Sequence, residues 1–358
     1  MRKLPGRHES DGRFAAALIV WQRHHGRHDL PWQGSRDPYT VWLSEIMLQQ
    51  TQVAAVIPYY QRFLGRFPTV KTLAEAPLDD VLALWSGLGY YSRARNLHRA
   101  AQAVMAAHGG NFPQTLETII ELPGIGRSTA AAILVFAFGK RSAILDGNVK
   151  RVLARFCGIA GYPGESAVAV QLWQQAEALL PKTGLRPYTQ GLMDLGATLC
   201  TRSKPRCAEC PVRKLCVAFK TGRVSELPTP KPRKALPQRR TMMLVLQRAG
   251  EILLEKRPPT GIWGGMWSFP EEDADADVVK ACARRYGAAV TLKEPLPVIA
   301  HGFTHFKLDI LPQPATVSAW PQHVEEPGRL WITPDDALRA AVPTPVRGII
   351  EQLLRGGC

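Results

Sequence analysis

From Phe14 to Phe219, apolar residues recur at three- and four-residue spacing, interrupted by Pro68, Pro77, Gly87, Gly109, Pro113, Gly139, Pro163 and Pro181. That period belongs to amphipathic helices, and the interruptions are helix ends, so an all-α domain is expected. Within it, Tyr39 to Val56 reads as one helical stretch, with Glu45 set among Trp42, Leu43, Ile46, Met47 and Leu48. Two further stretches, Thr115 to Glu121 and Ser128 to Phe138, flank a short turn. Between Arg223 and Arg240 the chain changes to proline and charge, as in Leu227-Pro228-Thr229-Pro230-Lys231-Pro232. This composition predicts an extended basic linker over 223–239. Beyond it the period changes. Thr241 to Leu246 and Ile252 to Leu254 flank a turn at Gly250, Phe306 to Ile310 reads as a strand, and Pro345 to Leu354 as a helix. The expected organisation is a helical domain over 1–222, a linker over 223–239 and an α+β domain over 240–358.

At 358 residues and 46% hydrophobic, the chain has the length and composition of a two-domain globular protein. No apolar run approaches the ~20 residues of a membrane span. The segment Met1 to Asp11 has no apolar stretch after its charges, so a secretory signal is not expected and a bacterial-type cytosol is. Charge separates the two halves. Up to Arg223 there are 28 Lys and Arg against 15 Asp and Glu; from Ser225 onward there are 17 against 15. A basic excess confined to one half points to a polyanion-binding domain rather than to general solubility.

Four of the seven cysteines, Cys200, Cys207, Cys210 and Cys216, fall within 17 residues as C-x6-C-x2-C-x5-C. Zinc sites usually bring two short pairs of ligands, and only Cys207 and Cys210 form one here. Unequal outer loops suit a wider 4Fe-4S cube better. Zinc and disulfides stand as the alternatives, the latter disfavoured in a cytosolic chain with an odd cysteine count. Cys157, Cys282 and Cys358 are isolated. Arg202, Lys204 and Arg206 lie in the first loop of this cluster, where three cations would contact phosphates.

Leu122-Pro123-Gly124-Ile125-Gly126-Arg127-Ser128-Thr129 joins the two helical stretches. Two glycines one residue apart allow a tight turn and bring bare N–H groups to an anion at the start of the next helix. The pattern is a helix-hairpin-helix that grips one DNA phosphate; an ordinary helix connection is the alternative. Asp146, in Ile144-Leu145-Asp146-Gly147-Asn148-Val149-Lys150-Arg151, stands at a predicted helix start, where a carboxylate caps the helix or faces developing positive charge. Glu45 either shares a wet face with Ser44, Gln49 and Gln52 or lines a pocket that raises its pKa toward that of a general acid.

Hairpin, following aspartate and four-cysteine cluster together resemble the base-excision DNA glycosylases that include endonuclease III. The segments Trp42 to Val53, Gly87-Leu88-Gly89-Tyr90-Tyr91 and Asp146 to Arg151 are similar to their adenine-excising (MutY) branch. The resemblance implies an all-α two-lobed glycosylase domain. Its lobes would be a six-helix barrel, about 30–141, and an iron–sulfur cluster lobe of 1–29 with 142–222. A Nudix-like α+β domain would follow. It further implies one 4Fe-4S cluster on Cys200, Cys207, Cys210 and Cys216, and as partner double-stranded DNA with adenine opposite 8-oxoguanine or guanine. Glu45 would protonate adenine, Asp146 would stabilise the cationic sugar, and Asn148 would orient the pocket. Gln50, Leu88 and Tyr90 would wedge into the base stack, since a base must leave the stack before its glycosidic bond is reached. Gln49, Thr51, Gly124, Gly126, Arg127, Ser128, Lys150, Arg202 and Lys204 would be further DNA contacts. Relatives with lyase activity hold a lysine amine where this chain has Ser128, a poor nucleophile without a base, so the resemblance implies displacement by water and a monofunctional enzyme; a monomer is expected.

In the C-terminal domain, Gly261 to Pro270 resembles the Nudix fold, yet Val279 to Gly287 contains no carboxylate. Hard cations need oxygen ligands, so pyrophosphohydrolase activity is not expected. The resemblance instead implies recognition of 8-oxoguanine through Phe303, Thr304 and His305. Two rivals have fewer explained residues. A thymine-excising relative has no need of Glu45 or the second domain, and an iron–sulfur DNA-binding regulator needs neither carboxylate.

Overall fold

A computed structural model of the protein describes residues 7–232, 235–321 and 327–355; Cys358 and the first six residues lie outside them. Two compact units divide the chain. One comprises the residues up to Ala74 together with those from Arg99 to the linker. The other comprises Glu75–His98 together with the C-terminal chain. This differs from the expected division, which kept 75–98 in the helical domain. The physical reason is a set of contacts that local periodicity does not report. Within the second unit the Ser86 hydroxyl donates to the Val342 carbonyl (2.7 Å), Arg95 donates to the Gly264 carbonyl (2.7 Å), and Lys256 pairs with Asp79.

The helices follow in chain order: α1 (Arg7–His25), α2 (Pro38–Met47), α3 (Val53–Arg66), α4 (Val70–Glu75), α5 (Leu78–Trp85), α6 (Ser92–His108), α7 (Leu116–Ile120) and α8 (Arg127–Phe136). Next come α9 (Gly147–Cys157), α10 (Ser166–Ala178), α11 (Leu185–Asp194) and α12 (Val217–Lys220). The predicted single helix from Tyr39 to Val56 is two. Pro38 and the Asp37 cap start α2, and the chain then leaves helical geometry at Gln50, whose φ is +56°, before α3 begins. No glycine or proline marks the break, so periodicity runs straight through it. In the first unit, α1 lies on α11, with Phe14, Leu18, Val149, Leu153, Tyr188 and Leu192 in one core. Burying such side chains contributes roughly 1.5–3 kcal/mol each, so α1 is fixed by chain near residue 190.

The second unit is built on a mixed sheet. β1 (Gln238–Arg248) turns through Ala249-Gly250, both at positive φ, into antiparallel β2 (Glu251–Lys256). Positive φ at both turn residues is what a tight hairpin needs. Short β3 (Trp267–Ser268) and β4 (Glu271–Glu272) pair with β2 and β1, and β5 (Ala289–Leu292) and β6 (Ile299–Gly302) with β7 (Lys307–Ala319). β7 runs parallel to β1, from Gln238 opposite Lys307 to Gln247 opposite Thr316, and β8 (Arg329–Ile332) adds to β2. α13 (Val278–Tyr286) lays Val278, Cys282 and Tyr286 against Leu244, Leu246 and Leu253; α14 (Pro334–Ala337) and α15 (Thr344–Arg355) complete the unit.

Candidate active site

Glu45 sits on α2 between buried Ser44 and Ile46, and it lines a cavity of about 450 Å³ with Ser44, Arg27, Trp32, Arg186 and Gln190. Loss of solvent, reinforced by the charge of nearby Asp146, pushes its carboxyl up to about 8. A carboxylic acid so raised holds its proton at neutral pH and can give it away. The pocket reading of Glu45 therefore replaces the wet-face one. Gln49 belongs elsewhere: its amide donates to the Thr129 hydroxyl (3.4 Å).

Asp146 caps α9, accepting the Val149 N–H at 2.7 Å. Its pKa is raised by burial, against the pull of N–H groups at Val149 and Asn148 and of the Arg151 and Lys150 charges. The donors and cations gathered on Asp146 favour its charged form, whereas burial and the Asp146 charge both hold the proton on Glu45. Asn148 accepts from Arg151 (2.9 Å) and is crowded by Gly196, where an added Cβ would stand 2.6 Å from the Asn148 Cβ.

The sequence reading missed the groups that shape this pocket. Asp194 is fully buried and ion-paired with Arg27 (2.7 Å), from which it is separated by 167 positions, and it also accepts the Arg27 N–H and the Gln190 amide. Nothing local in the sequence announces such a pair. Arg151 and Arg155 of α9 were also missed. Arg151 donates to the carbonyls of Cys200 (2.8 Å) and Gly196 (2.7 Å), and Arg155 donates to Thr201 (2.7 Å), Arg202 (3.1 Å) and Leu227 (2.7 Å). The helix that presents Asp146 is thereby tied to the cysteine loop.

Cys200, Cys207, Cys210 and Cys216 line one small cavity of about 30 Å³, and none is in a disulfide. Among the described residues no group of three or more His, Cys, Asp or Glu is arranged to hold a single metal ion. Burial, with the other cysteines, pushes the Cys210 thiol up to about 12, and Cys207 and Cys216 are also raised. Four cysteines lining one space, with Arg155 donating toward Cys200 Sγ at 3.4 Å, suit a group that brings its own positive charge and spans all four.

In the hairpin, Gly124 takes φ +79°, which its turn requires, whereas Gly126 is extended and a Cβ there would meet nothing within 4 Å. Gly126 caps α8 without a side-chain bond, leaving the first N–H groups open to an anion. Arg127 does not share that opening: it pairs with Glu177 and lies over Trp173 at 4.0 Å. The Ser128 hydroxyl accepts the N–H of Leu145 (2.9 Å), the residue before Asp146. Thr51 donates to the Gln49 carbonyl (3.2 Å), and Gln50 is exposed. Lys150 is partly exposed and Arg202 and Lys204 are exposed, but Arg206 is paired with Glu209 (3.1 Å), so among the described residues two of the expected trio of loop cations enter no ion pair.

In the second unit, Gly87-Leu88-Gly89-Tyr90 carries positive φ at Gly87, Gly89 and Tyr90. Tyr90 is 46% exposed while Leu88 is buried, so of the two expected wedge residues here only Tyr90 projects. Arg93 holds the loop by donating to the Leu88 and Gly89 carbonyls. Phe303, Thr304 and His305 form the turn between β6 and β7; Phe303 stacks on Phe306 (4.6 Å), and Thr304 and His305 are exposed.

Residues 43–178 match the HhH-GPD superfamily of base excision DNA repair proteins, and residues 241–352 match the NUDIX domain. Fold and site thus define a helix-hairpin-helix base-excision protein with a Nudix-like unit. The adenine DNA glycosylase of Buchnera aphidicola subsp. Acyrthosiphon pisum is 36% identical over 94% of this chain and 97% of its own. That of Homo sapiens is 33% identical over 94% of this chain and 73% of its own. The chain belongs to the adenine DNA glycosylase family, and it is a base-excision repair enzyme of the glycosidase class. Among solved structures, a thermostable thymine-DNA glycosylase matches with TM-score 0.55 and 31% identity over 60% of this chain and 98% of its own. A trapped endonuclease III–DNA intermediate, 21% identical, shares the fold with TM-score 0.51 over 59% of this chain and 98% of its own.

Proposed function

We propose that this enzyme hydrolyses the glycosidic bond of adenine mispaired with 8-oxoguanine or guanine in duplex DNA, leaving an abasic site. The observation that carries the reading is Glu45, its carboxyl raised to about 8 in a cavity of about 450 Å³ beside Asp146. Glu45 gives its proton to N7 of the flipped adenine; the C1′–N9 bond breaks and its electron pair goes to the base. The carboxylate of Asp146 stabilises the resulting sugar cation. Water then adds to C1′ and returns a proton to Glu45. Asn148, held by Arg151, keeps the start of α9 in place. Ser128 offers no amine, so no covalent sugar adduct precedes the product.

Cys200, Cys207, Cys210 and Cys216 would hold one 4Fe-4S cluster, which when bound cross-links the loop carrying Arg202 and Lys204. DNA is the expected partner, gripped at Gly124 and Gly126 and wedged by Tyr90 with Gln50; a monomer suffices. Thr304 and His305, exposed at the β6–β7 turn, support reading of the opposite 8-oxoguanine. A gel assay on duplexes with A, T or U opposite G or 8-oxoguanine tests the reading. Excision of adenine alone, fastest opposite 8-oxoguanine, is expected; faster release of thymine would overturn it.

A further inference from the structure

The linker forms one side of a further cavity in the first unit, about 590 Å³, lined by Thr229, Pro230 and Lys231 together with Lys150, Arg202 and Tyr162. Five lining residues are cationic, Arg151 and Arg155 besides Lys150, Arg202 and Lys231, and none is acidic. Arg151 and Arg155 donate mainly to backbone carbonyls, which carry no net charge, and neither is in a salt bridge among the described residues. Among the described residues, Lys150, Arg202 and Lys231 enter no salt bridge. Asp146 is the carboxylate that acts electrostatically on Lys150 and Arg151, and it does not line this cavity.

The linker wall is held in place. Leu227 is buried and its carbonyl accepts from Arg155 (2.7 Å), while the Thr229 hydroxyl accepts the Gly161 N–H (3.1 Å). Segments that only space two domains have no need of such anchors. A fixed cleft of about 590 Å³ lined by five cations and no carboxylate attracts an extended anion, such as a strand of phosphodiesters, rather than one small ion. We propose that residues 229–231, with Lys150 and Arg202, form a second cleft for the DNA backbone, separate from the glycine hairpin, so that the linker is itself a DNA-binding wall. Tyr162, Pro228 and Pro230 give the cleft apolar sides against which sugars can lie. The inference rests on the glycosylase reading above.

The test is duplex binding by the full-length protein as salt is varied, using DNA with a non-cleavable adenine analogue opposite 8-oxoguanine. Lys231→Gln should weaken binding about 3- to 10-fold near 0.1 M salt and flatten the log–log salt slope by about 1. Single-turnover excision at saturating enzyme should stay at the wild-type rate. Lys182→Gln removes the same charge outside the cavity and should do neither. Wild-type binding with an unchanged slope in Lys231→Gln, or an equal loss in Lys182→Gln, would overturn the cleft alone. A wild-type protein that does not retain the duplex would instead overturn the glycosylase reading.

Discussion

Glu45 of the first unit and Glu255 of the second, both half-buried, are treated in opposite ways. Glu45 enters no ion pair among the described residues, and its pKa is driven up by burial and by Asp146. In the second unit, Glu255 is held by Arg285, by Arg329 (3.1 Å) and by the Tyr286 hydroxyl (2.9 Å). Glu272 pairs with Arg284 and Arg285, and Glu271 with Arg257. A neutralised carboxylate stabilises a fold but has no proton to give; one left without a cation costs stability and keeps its proton for chemistry. In the Nudix-like unit arginines hold Glu255, Glu271 and Glu272, which gives that cluster the electrostatics of a scaffold.

Removing the uncompensated group should have the largest effect. Glu45→Gln should lower single-turnover excision about 10²- to 10⁴-fold with affinity for mispaired DNA near wild type. In the wild-type enzyme the rate should fall as pH rises through about 8, where Glu45 loses its proton. The folded-state pKa lies above the ordinary 4.5, so stability from this group is full below 4.5 and lost as pH rises toward 8. Glu45→Gln should therefore melt higher than wild type by a margin that grows between those values, on the order of 1.4 kcal/mol per pH unit. A flat pH–rate profile with near-normal excision in the variant would remove Glu45 from the chemistry.

The cysteines extend the comparison, since burial and the neighbouring cysteines push the thiol of half-buried Cys210 up to about 12. Cys210→Ser should lose iron and solubility together, because a bound group closes that loop. Stoichiometric zinc without iron in anaerobically prepared wild type would reverse the assignment. Glu255→Gln probes the opposite case. Breaking its arginine pairs should lower stability of the second unit by about 1–3 kcal/mol in denaturant titration while leaving adenine excision unchanged. A large loss of excision with little loss of stability would make this cluster functional.

What the sequence made legible follows the same line. Cysteine spacing, the glycine pair of the hairpin and the strands around Gly250 are local patterns, and local physics sets them. The Arg27–Asp194 pair, Arg127 with Glu177, and Arg155 reaching Leu227 join residues far apart in the chain, and an isolated arginine reads as surface charge. Leu88 lies in a motif expected to point outward, yet packing buries it while Tyr90 stays exposed. The grouping of 75–98 with the C-terminal chain, likewise, rests on contacts such as Ser86 to Val342 that no periodicity encodes.

The smallest expected effect concerns a position between the two kinds of group, neutral but one bond from the chemistry. Ser128 accepts the N–H of Leu145 at 2.9 Å and so holds the peptide that leads into Asp146. Ser128→Ala leaves that N–H without its acceptor, at a cost of about 1 kcal/mol, and lets the Asp146 carboxylate drift. Excision should slow several-fold with little change in binding, and Ser128→Thr, which keeps the hydroxyl, should restore most of it. Ser128→Lys also removes the acceptor but adds an amine. It should excise no faster than Ser128→Ala, yet form a borohydride-trappable Schiff base and nick the strand. Wild-type excision by Ser128→Ala would mean that the bond to Leu145 does not position Asp146. Trapping by Ser128→Lys no greater than in wild type would mean that this turn of α8 does not face the sugar, whatever its bond to Leu145 does.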